Sequence, residues 1–283
     1  MIESQIPKTN TREESQGTGL IAFHGWLTTF EAEVSAQVKR VSISSQEATA
    51  KLMKGMPLLS WRDIEPDWSM LLRCLNDVLL ALNRHFPTLA KRVESLQTKI
   101  YDLTLAQEVV KACYLGQSLP GAISRKEESR ILRLAGQAAF RPFLCTQRKV
   151  LMPLVDQELW RKGSCPVCGG LPDFAFLDKE QEARWLVCCR CDAQWVFRRL
   201  QCPYCDNQDQ DTVCFLTDEE GYYRVYLCEE CHSYLKAVDL GKKEPVIDVS
   251  GHRTETLDLD RQAQDKGYKC PESFASVGFR HTE

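Results

Sequence analysis

Eight of the ten cysteines between residues 165 and 231 constrain the fold of this chain more than any other feature of its sequence. They form four Cys-x-x-Cys pairs, which are Cys165/Cys168, Cys188/Cys191, Cys202/Cys205 and Cys228/Cys231. Two intervening residues let the backbone turn as a knuckle that directs both thiolates to one metal ion, and two facing knuckles complete a tetrahedral site. The sequence therefore predicts that all eight cysteines are metal ligands, with two metal ions per chain.

The segments between the pairs favour one site in each successive set of four cysteines. The intervals 169–187 and 206–227 are similar in length, and each holds apolar runs typical of hairpin strands. Those runs predict strands at 174–177, 184–187, 213–216 and 222–227. Each set is thus predicted to be a small ribbon, over 163–198 and over 199–240, with a metal ion at one end.

The two predicted ribbons also repeat one another in sequence. Arg184-Trp-Leu-Val-Cys188 in the first corresponds to Arg224-Val-Tyr-Leu-Cys228 in the second. A module of this size buries little apolar surface by itself, so bound metal must supply much of its stability.

Other uses of the cysteines are weaker predictions. Disulfides need an oxidising compartment, and the chain opens on Met1-Ile-Glu-Ser-Gln5 without an apolar signal region, which favours a reducing cytoplasm. Cys202-Pro-Tyr-Cys205 matches a redox-active dithiol motif, but the pair at 228 favours metal ligation. An iron–sulfur cluster stays open, although its ligand spacing is usually less symmetric. Tetrahedral thiolates accept iron as well as zinc, so both metals stay open.

Composition sets broader limits. Hydrophobic residues make up 43% of the chain, enough for a core, and the net charge of −3 argues against a dedicated nucleic-acid binder. There is no apolar run of about 18 residues, which predicts no membrane span. Cys74, Cys113 and Cys145 fall in helical patterns and are predicted to be buried apolar residues. Cys189 is predicted to be a non-ligand, and Cys214 and Cys270 receive no role.

The N-terminal half is predicted to be helical. A disordered tail at 1–18 precedes an all-α bundle at 19–162, in which a capping box at Thr28-x-x-Glu31 opens the first helix and Pro142 opens the last. Amphipathic spacing predicts further helices from beyond Pro66 to near Pro87, at 89–100 and at 103–115, and Leu58 and Leu59 are predicted to fill the core. No nucleophile–base pair stands out. Residues 241–283 are predicted to hold a strand at 245–249, a helix at 254–264 and a loose tail.

This order of parts resembles the formate dehydrogenase accessory protein family, FdhE. The resemblance spans residues 50–267 and includes Gly55-Met-Pro-Leu-Leu59, Arg141-Pro-Phe-Leu144 and Cys165-Pro-Val-Cys-Gly169, with the eight-cysteine array as its most specific part. The fold class it implies is α+β: an N-terminal all-α helical bundle, two tandem rubredoxin-like or zinc-ribbon-like metal-binding subdomains, and a short C-terminal strand and helix.

The resemblance also implies a function. It implies a cytoplasmic accessory protein, not an enzyme, that binds the catalytic subunit of a respiratory molybdenum- or tungsten-dependent formate dehydrogenase before export by the twin-arginine route. The family is associated with rubredoxin-type iron bound by the four knuckles. A homodimer stays open. Five aromatic residues and two arginines of the ribbons are candidate contacts for the client: Trp185, Trp195, Tyr204, Tyr223, Tyr226, Arg198 and Arg199.

Two alternative functions stay open. The first is a nucleic-acid-binding zinc ribbon, suggested by the arginines Arg184, Arg190, Arg198, Arg199 and Arg224. Neighbouring acidic residues offset that basic charge. The second is a thiol redox protein that uses Cys202 and Cys205 as a dithiol.

Overall fold

The computed structural model describes residues 11–64, 66–123, 125–178, 183–218, 220–241 and 249–271. Within these residues the N-terminal part is helical and the cysteine-rich part forms a sheet, so the predicted α+β class is confirmed. The helices are α1 (Thr11–Ser35), α2 (Ser45–Met53), α3 (Trp68–His85), α4 (Ala90–Ile100), α5 (Leu103–Leu115), α6 (Lys126–Leu151), α7 (Val249–Glu255) and α8 (Leu257–Asp265). Across this described part of the chain, no helix has both the length and the apolar character needed to cross a bilayer.

Helix α3 provides the main apolar stripe of the helical part. It begins where the Asp67 carboxylate accepts a hydrogen bond from the Met70 amide at 3.0 Å, and it ends at His85, just before Pro87. Its fully buried side chains recur every three or four residues: Leu71, Leu75, Val78, Leu79 and Leu82. Helices α1 and α4 pack against α3. The predicted helices from beyond Pro66, at 89–100 and at 103–115 are confirmed as α3, α4 and α5.

The N-terminal helix begins earlier than predicted. α1 starts at Thr11, inside the segment predicted to be disordered, and residues 1–10 lie outside the described part. The capping-box prediction was wrong, because Thr28 lies inside α1 and its hydroxyl donates a hydrogen bond to the His24 carbonyl at 3.0 Å. A threonine can bond the carbonyl four residues earlier in a continuous helix, so the local pattern does not require a helix start.

Pro142 does not start a helix either. It lies within α6, where its ring removes the amide that would bond the carbonyl four residues earlier. Phe140, Phe143 and Leu144 around it are buried, and this packing outweighs the lost hydrogen bond. The Ser35 hydroxyl donates to the Pro142 carbonyl at 3.3 Å.

The cysteine-rich part forms one six-stranded sheet. Its strands are β1 (Pro172–Leu177), β2 (Arg184–Cys188), β3 (Gln194–Phe197), β4 (Val213–Thr217), β5 (Tyr223–Cys228) and β6 (Ser233–Asp239), in the order β3-β2-β1-β6-β5-β4. Each ribbon is an antiparallel group of three strands. Strand β1 pairs in parallel with β6, from Phe174 opposite Lys236 to Leu177 opposite Asp239, and this pairing joins the ribbons.

Close contacts at the third knuckle reinforce the junction between the ribbons. The Tyr204 hydroxyl donates to the Pro172 carbonyl of the first ribbon at 3.0 Å. Gly163, just before the first knuckle, lies so close to the third that a Cβ there would stand 1.9 Å from the Pro203 carbonyl oxygen.

The C-terminal helices pack on the sheet through polar side chains. Asp260 of α8 is buried and forms an ion pair with Lys236 of β6, while Arg253 of α7 binds Asp173 and Asp192. The predicted helix at 254–264 is interrupted at Thr256, whose hydroxyl donates to the His252 carbonyl at 2.7 Å. Of the predicted strand at 245–249, residues 245–248 lie outside the described part, and Val249 begins α7.

The chain divides into two compact units, which are described one at a time. The first contains the described residues of 1–38 and 66–143, and the second those of 39–65 and 144–283. Segment 39–65, predicted to belong to the helical domain, is thus grouped with the cysteine-rich part. The predicted boundaries of separately folding domains, 19–162, 163–198, 199–240 and 241–283, stay a prediction.

We expect the substitution Gly163→Ala to destabilise the protein by about 2 kcal/mol or more, because the new methyl group would overlap the Pro203 carbonyl. Urea unfolding of the zinc-loaded protein would measure the loss. Gly25→Ala is the matched control, because a Cβ at Gly25 meets nothing within 4 Å and alanine favours a helix. An unchanged midpoint for Gly163→Ala would contradict this close approach.

Candidate metal centres

The eight patterned cysteines come together in the two predicted groups of four. The first cysteine cluster contains Cys165, Cys168, Cys188 and Cys191, and the second contains Cys202, Cys205, Cys228 and Cys231. Within each cluster the sulfur atoms all lie within 4.8 Å of one another. Each cluster is made by successive knuckles of one ribbon, as predicted, and not by knuckles exchanged between ribbons.

The spacing of the sulfurs fits a tetrahedral metal ion. The Cys165–Cys191, Cys168–Cys188 and Cys168–Cys191 sulfur pairs are 3.7, 3.5 and 3.6 Å apart. In the second cluster, Cys202–Cys231 and Cys205–Cys228 are both 3.7 Å apart. A tetrahedral ion with metal–sulfur bonds of about 2.3 Å requires sulfur separations of about 3.8 Å. The clusters could therefore hold two metal ions per chain.

All four knuckles share one backbone geometry. The residue after each second cysteine has a positive φ: +73° at Gly169, 54° at Asp192, 59° at Asp206 and 51° at His232. The Gly169, Asp192 and Asp206 amides donate to the carbonyls of Cys165, Cys188 and Cys202 at 3.0, 3.1 and 3.0 Å. Only one of the four residues is glycine, so we did not predict this shared turn. The aspartates were a usable signal, since aspartate tolerates left-handed backbone better than most residues.

Backbone amides also point at the sulfurs. The Val167 and Cys168 amides lie 3.4 and 3.5 Å from the Cys165 sulfur, and the Arg190 amide lies 3.4 Å from the Cys188 sulfur. Such donors stabilise a thiolate over a thiol. The knuckle backbone thus favours the charge state that binds metal.

The first cluster is sealed from solvent. All four of its cysteines are buried, and the segment before α3 pairs with its first knuckle. The Leu58 and Leu59 amides donate to the Pro166 and Val167 carbonyls, both at 2.8 Å. These leucines are buried, as predicted, and their backbone additionally covers the first knuckle.

The second cluster is partly open. Cys205 is exposed and Cys231 is half-buried, whereas Cys202 and Cys228 are buried. The Asn207 side-chain amide lies 3.9 Å from the Cys228 sulfur. One side of this cluster is therefore accessible to reagents in solvent.

Desolvation and neighbouring thiols separate the pKa values within each cluster. Burial raises the pKa of the Cys165 and Cys191 thiols well above the ordinary value, and partial desolvation of the Cys205 sulfur raises its pKa to about 11. Desolvation would also raise the pKa of Cys188 and that of Cys228, but hydrogen bonds from neighbouring groups outweigh it and lower both pKa values. Four sulfurs this close would also repel one another as thiolates. A metal cation bound between the four sulfurs would offset this repulsion, and the sulfur spacing fits such an ion.

The remaining cysteines lie outside the two clusters. Cys74, Cys113 and Cys145 are buried, as predicted. Cys189 is also buried, and its amide donates to the Leu171 carbonyl at 3.1 Å. Cys270 is buried and Cys214 is exposed.

Most aromatic candidates for client contact face inward. Trp195, Tyr223 and Tyr226 are buried, and the Trp195 indole donates to the Lys162 carbonyl at 3.0 Å. Tyr204 is held between the ribbons, and Trp185 is half-buried and stacked on Phe176. Three of the five aromatic candidates therefore fill the ribbon cores, because alternation along a strand directs every second side chain inward.

The five arginines on which the nucleic-acid alternative depends do not form one exposed basic surface. Arg184 is only 1% exposed, and Arg224 forms an ion pair with Asp239. Of the five arginines, Arg198 and Arg199 are exposed, while Arg190 is half-buried. No continuous stripe of all five can face a phosphate backbone.

Comparisons with known proteins agree with the fold and the clusters. The FdhE central-domain family model matches residues 164–199, which contain the first cluster. A protein FdhE homolog of Aquifex aeolicus is 26% identical over 276 residues, 95% of this chain and 89% of that protein. A homolog from Haemophilus ducreyi is 32% identical over 113 residues, which are 39% of this chain and 37% of that relative.

A solved structure extends the likeness to nearly the whole chain. The crystal structure of the FdhE protein from Pseudomonas aeruginosa superposes with a TM-score of 0.61 at 17% identity, covering 93% of this chain and 95% of that one. The chain is thus similar to FdhE proteins in sequence and in fold over nearly its whole length. The predicted resemblance is thereby confirmed, and the FdhE fold is the setting of both clusters.

We expect reagents to attack the two cysteine clusters in a fixed order. In zinc-loaded protein, iodoacetamide should modify Cys205 first, because it is exposed, while the buried first cluster should stay protected until the sheet opens. Time-resolved alkylation with mass spectrometry would give each rate. Exposed Cys214 reports reagent access, and buried Cys74 reports unfolding. Equal rates at Cys205 and Cys168 would contradict the difference between the clusters.

The left-handed turn of the fourth knuckle leads to a second prediction. The free energy of unfolding, measured in urea, should be about 1–2 kcal/mol lower for His232→Val than for His232→Gly, because valine strains a backbone with φ of 51°. Glu230 is the control, because it is not among the positive-φ residues of the described chain. If the valine–glycine difference were as large at Glu230, the effect would not come from the left-handed backbone.

Proposed function

We propose that this protein binds one metal ion in each cysteine cluster and acts as an accessory protein for a respiratory formate dehydrogenase. The ligands would be Cys165, Cys168, Cys188 and Cys191 in the first cluster, and Cys202, Cys205, Cys228 and Cys231 in the second. The observation that carries the proposal is the pair of four-sulfur clusters within one sheet on the FdhE fold. Iron of the rubredoxin type and zinc both suit such sites.

The client in this proposal is the catalytic subunit of the dehydrogenase, bound in the cytoplasm before export. We propose binding and not catalysis, because the eight clustered thiols are committed to metal and so do not serve as nucleophiles. The metal ions fix the knuckles, and rigid surfaces bind partners with a smaller loss of entropy.

The proposed client contacts are exposed apolar side chains of the cysteine-rich unit. Leu200 in the linker between the ribbons is 40% exposed, and Phe215 on β4 is 48% exposed. Within the described residues, strand β4 lies at one edge of the sheet, and its outer backbone groups are open to an added strand. Phe215 adds an exposed apolar side chain on that strand.

The alternative function as a thiol redox protein, with Cys202 and Cys205 as the dithiol, has less support. Burial raises the pKa of both Cys202 and Cys205, whereas a reactive dithiol needs a lowered pKa. Thiol titration of the metal-loaded protein tests it directly. Rapid reaction of both thiols while the metal ions stay bound would favour the redox function.

We expect Leu200→Ser and Phe215→Ser to weaken capture of the formate dehydrogenase catalytic subunit by about tenfold or more, as for central interface residues. Pull-down with the full-length, metal-loaded chain measures the capture. Tyr101→Ser is the matched control, because Tyr101 is an exposed aromatic (88%) in the other compact unit. Arg198→Ala/Arg199→Ala tests polar contacts in the same linker. Full capture by every ribbon variant would exclude this surface, and no capture by the wild type would overturn the proposed function.

A further inference from the structure

Arg184 is a buried cation to which no carboxylate of the described residues is paired. It is 1% exposed, and among the described residues its guanidinium donates to the backbone carbonyls of Arg198 (2.5 Å) and Gln201. Its Nε is buried and has no hydrogen-bond partner within that part of the chain. A desolvated charge of this kind is unfavourable unless an opposite charge lies nearby.

The surroundings of Arg184 point to the second cysteine cluster. Arg184 lines a small cavity together with Cys202, Cys228, Tyr204, Tyr226 and Leu235. Its guanidinium carbon lies 5.2 Å from the Tyr226 ring centroid and 5.5 Å from that of Phe197. One carbonyl that it binds belongs to Gln201, the residue before Cys202. Although Arg184 precedes the first-cluster ligand Cys188 by four residues, its charge lies beside the other cluster.

The repeat provides a contrast. Arg224 occupies the corresponding position of the second ribbon, but it binds the Asp239 carboxylate at 2.5 Å. Arg253 likewise binds Asp173 and Asp192. These two arginines have their counter-charges on side chains. Arg184 differs from its repeat partner in having no such carboxylate among the described residues.

We propose that Arg184 is the counter-charge of the second cysteine cluster, so that its guanidinium stabilises a metal ion held by four thiolates there. This inference rests on the proposed metal binding. A divalent ion with four thiolates carries roughly two net negative charges, and a trivalent ion roughly one. Asp206 and Glu229, which lie beside the knuckles of the second cluster, add negative charge. A neighbouring positive charge would therefore stabilise the metal-bound second cluster.

The charge argument predicts a difference between metals that a purely structural role would not produce. The Coulomb energy scales with the charge of the site. Removing the guanidinium charge should therefore weaken a divalent ion about twice as much, on a logarithmic scale, as a trivalent ion of similar size. A change that only loosens the protein would weaken both ions equally.

The test compares Zn²⁺ and Ga³⁺ in the full-length chain. Free metal is set with a chelating buffer, and alkylation with mass spectrometry reports occupancy separately for the second-cluster and first-cluster cysteines. The variants are Arg184→Gln, Arg184→Lys and the matched control Arg224→Gln, and Arg184→Met replaces the glutamine variant if that one does not fold. Circular dichroism confirms the fold of each variant.

We expect Arg184→Gln to lower Zn²⁺ affinity at the second cluster by about tenfold or more and Ga³⁺ affinity by about the square root of that factor. The first cluster should change little. Arg184→Lys should keep the wild-type ratio of Zn²⁺ to Ga³⁺ affinity, and Arg224→Gln should keep it too, since Asp239 already neutralises Arg224.

Three outcomes would overturn the inference. Equal losses for both metals would make Arg184 a structural residue, and equal losses at both clusters would mean a general loosening. Unchanged affinities in Arg184→Gln would show that the charge does not act on the metal. Absence of metal protection at Cys202, Cys205, Cys228 and Cys231 in the wild type would instead contradict the proposed metal binding on which the inference rests.

Discussion

Four sulfur atoms placed within 4.8 Å of one another, mostly out of water, are the constraint on which the cysteine-rich unit depends. As thiolates they repel, and as thiols they form only weak hydrogen bonds. A cation at their centre removes both difficulties, and thiolate–metal binding in small modules contributes on the order of 10–16 kcal/mol. The left-handed residue after each knuckle and the amides facing the sulfurs serve this arrangement.

The two clusters have the same knuckle geometry but differ in their exposure to solvent. The first is covered by the backbone of Leu58 and Leu59 and by the ribbon itself, so its sulfurs are isolated from solvent. The second exposes Cys205 and has a buried arginine from the other ribbon beside it. The first therefore suits a permanent structural ion, whereas the environment of the second suits exchange or response to a partner.

The sequence predicted the parts that depend on local spacing. The four Cys-x-x-Cys pairs gave both clusters, and apolar periodicity gave α3, α4 and α5. Features decided by tertiary contacts were missed. Thr28 and Pro142 resemble helix starts, yet both lie inside helices because buried faces continue on either side. The parallel β1–β6 pairing joins distant segments and has no local signature.

The parallel pairing of β1 with β6 also determines when the sheet can be completed during synthesis. Phe174 finds its partner Lys236 roughly sixty residues later, a long loop by the standard of folding rates. The first two knuckles can meet once Cys191 has been made, but β1 then keeps an open edge until β6 leaves the ribosome. Such an edge invites wrong pairing with other chains. Early metal capture by the first ribbon would shorten the time for which that edge is both open and poorly ordered.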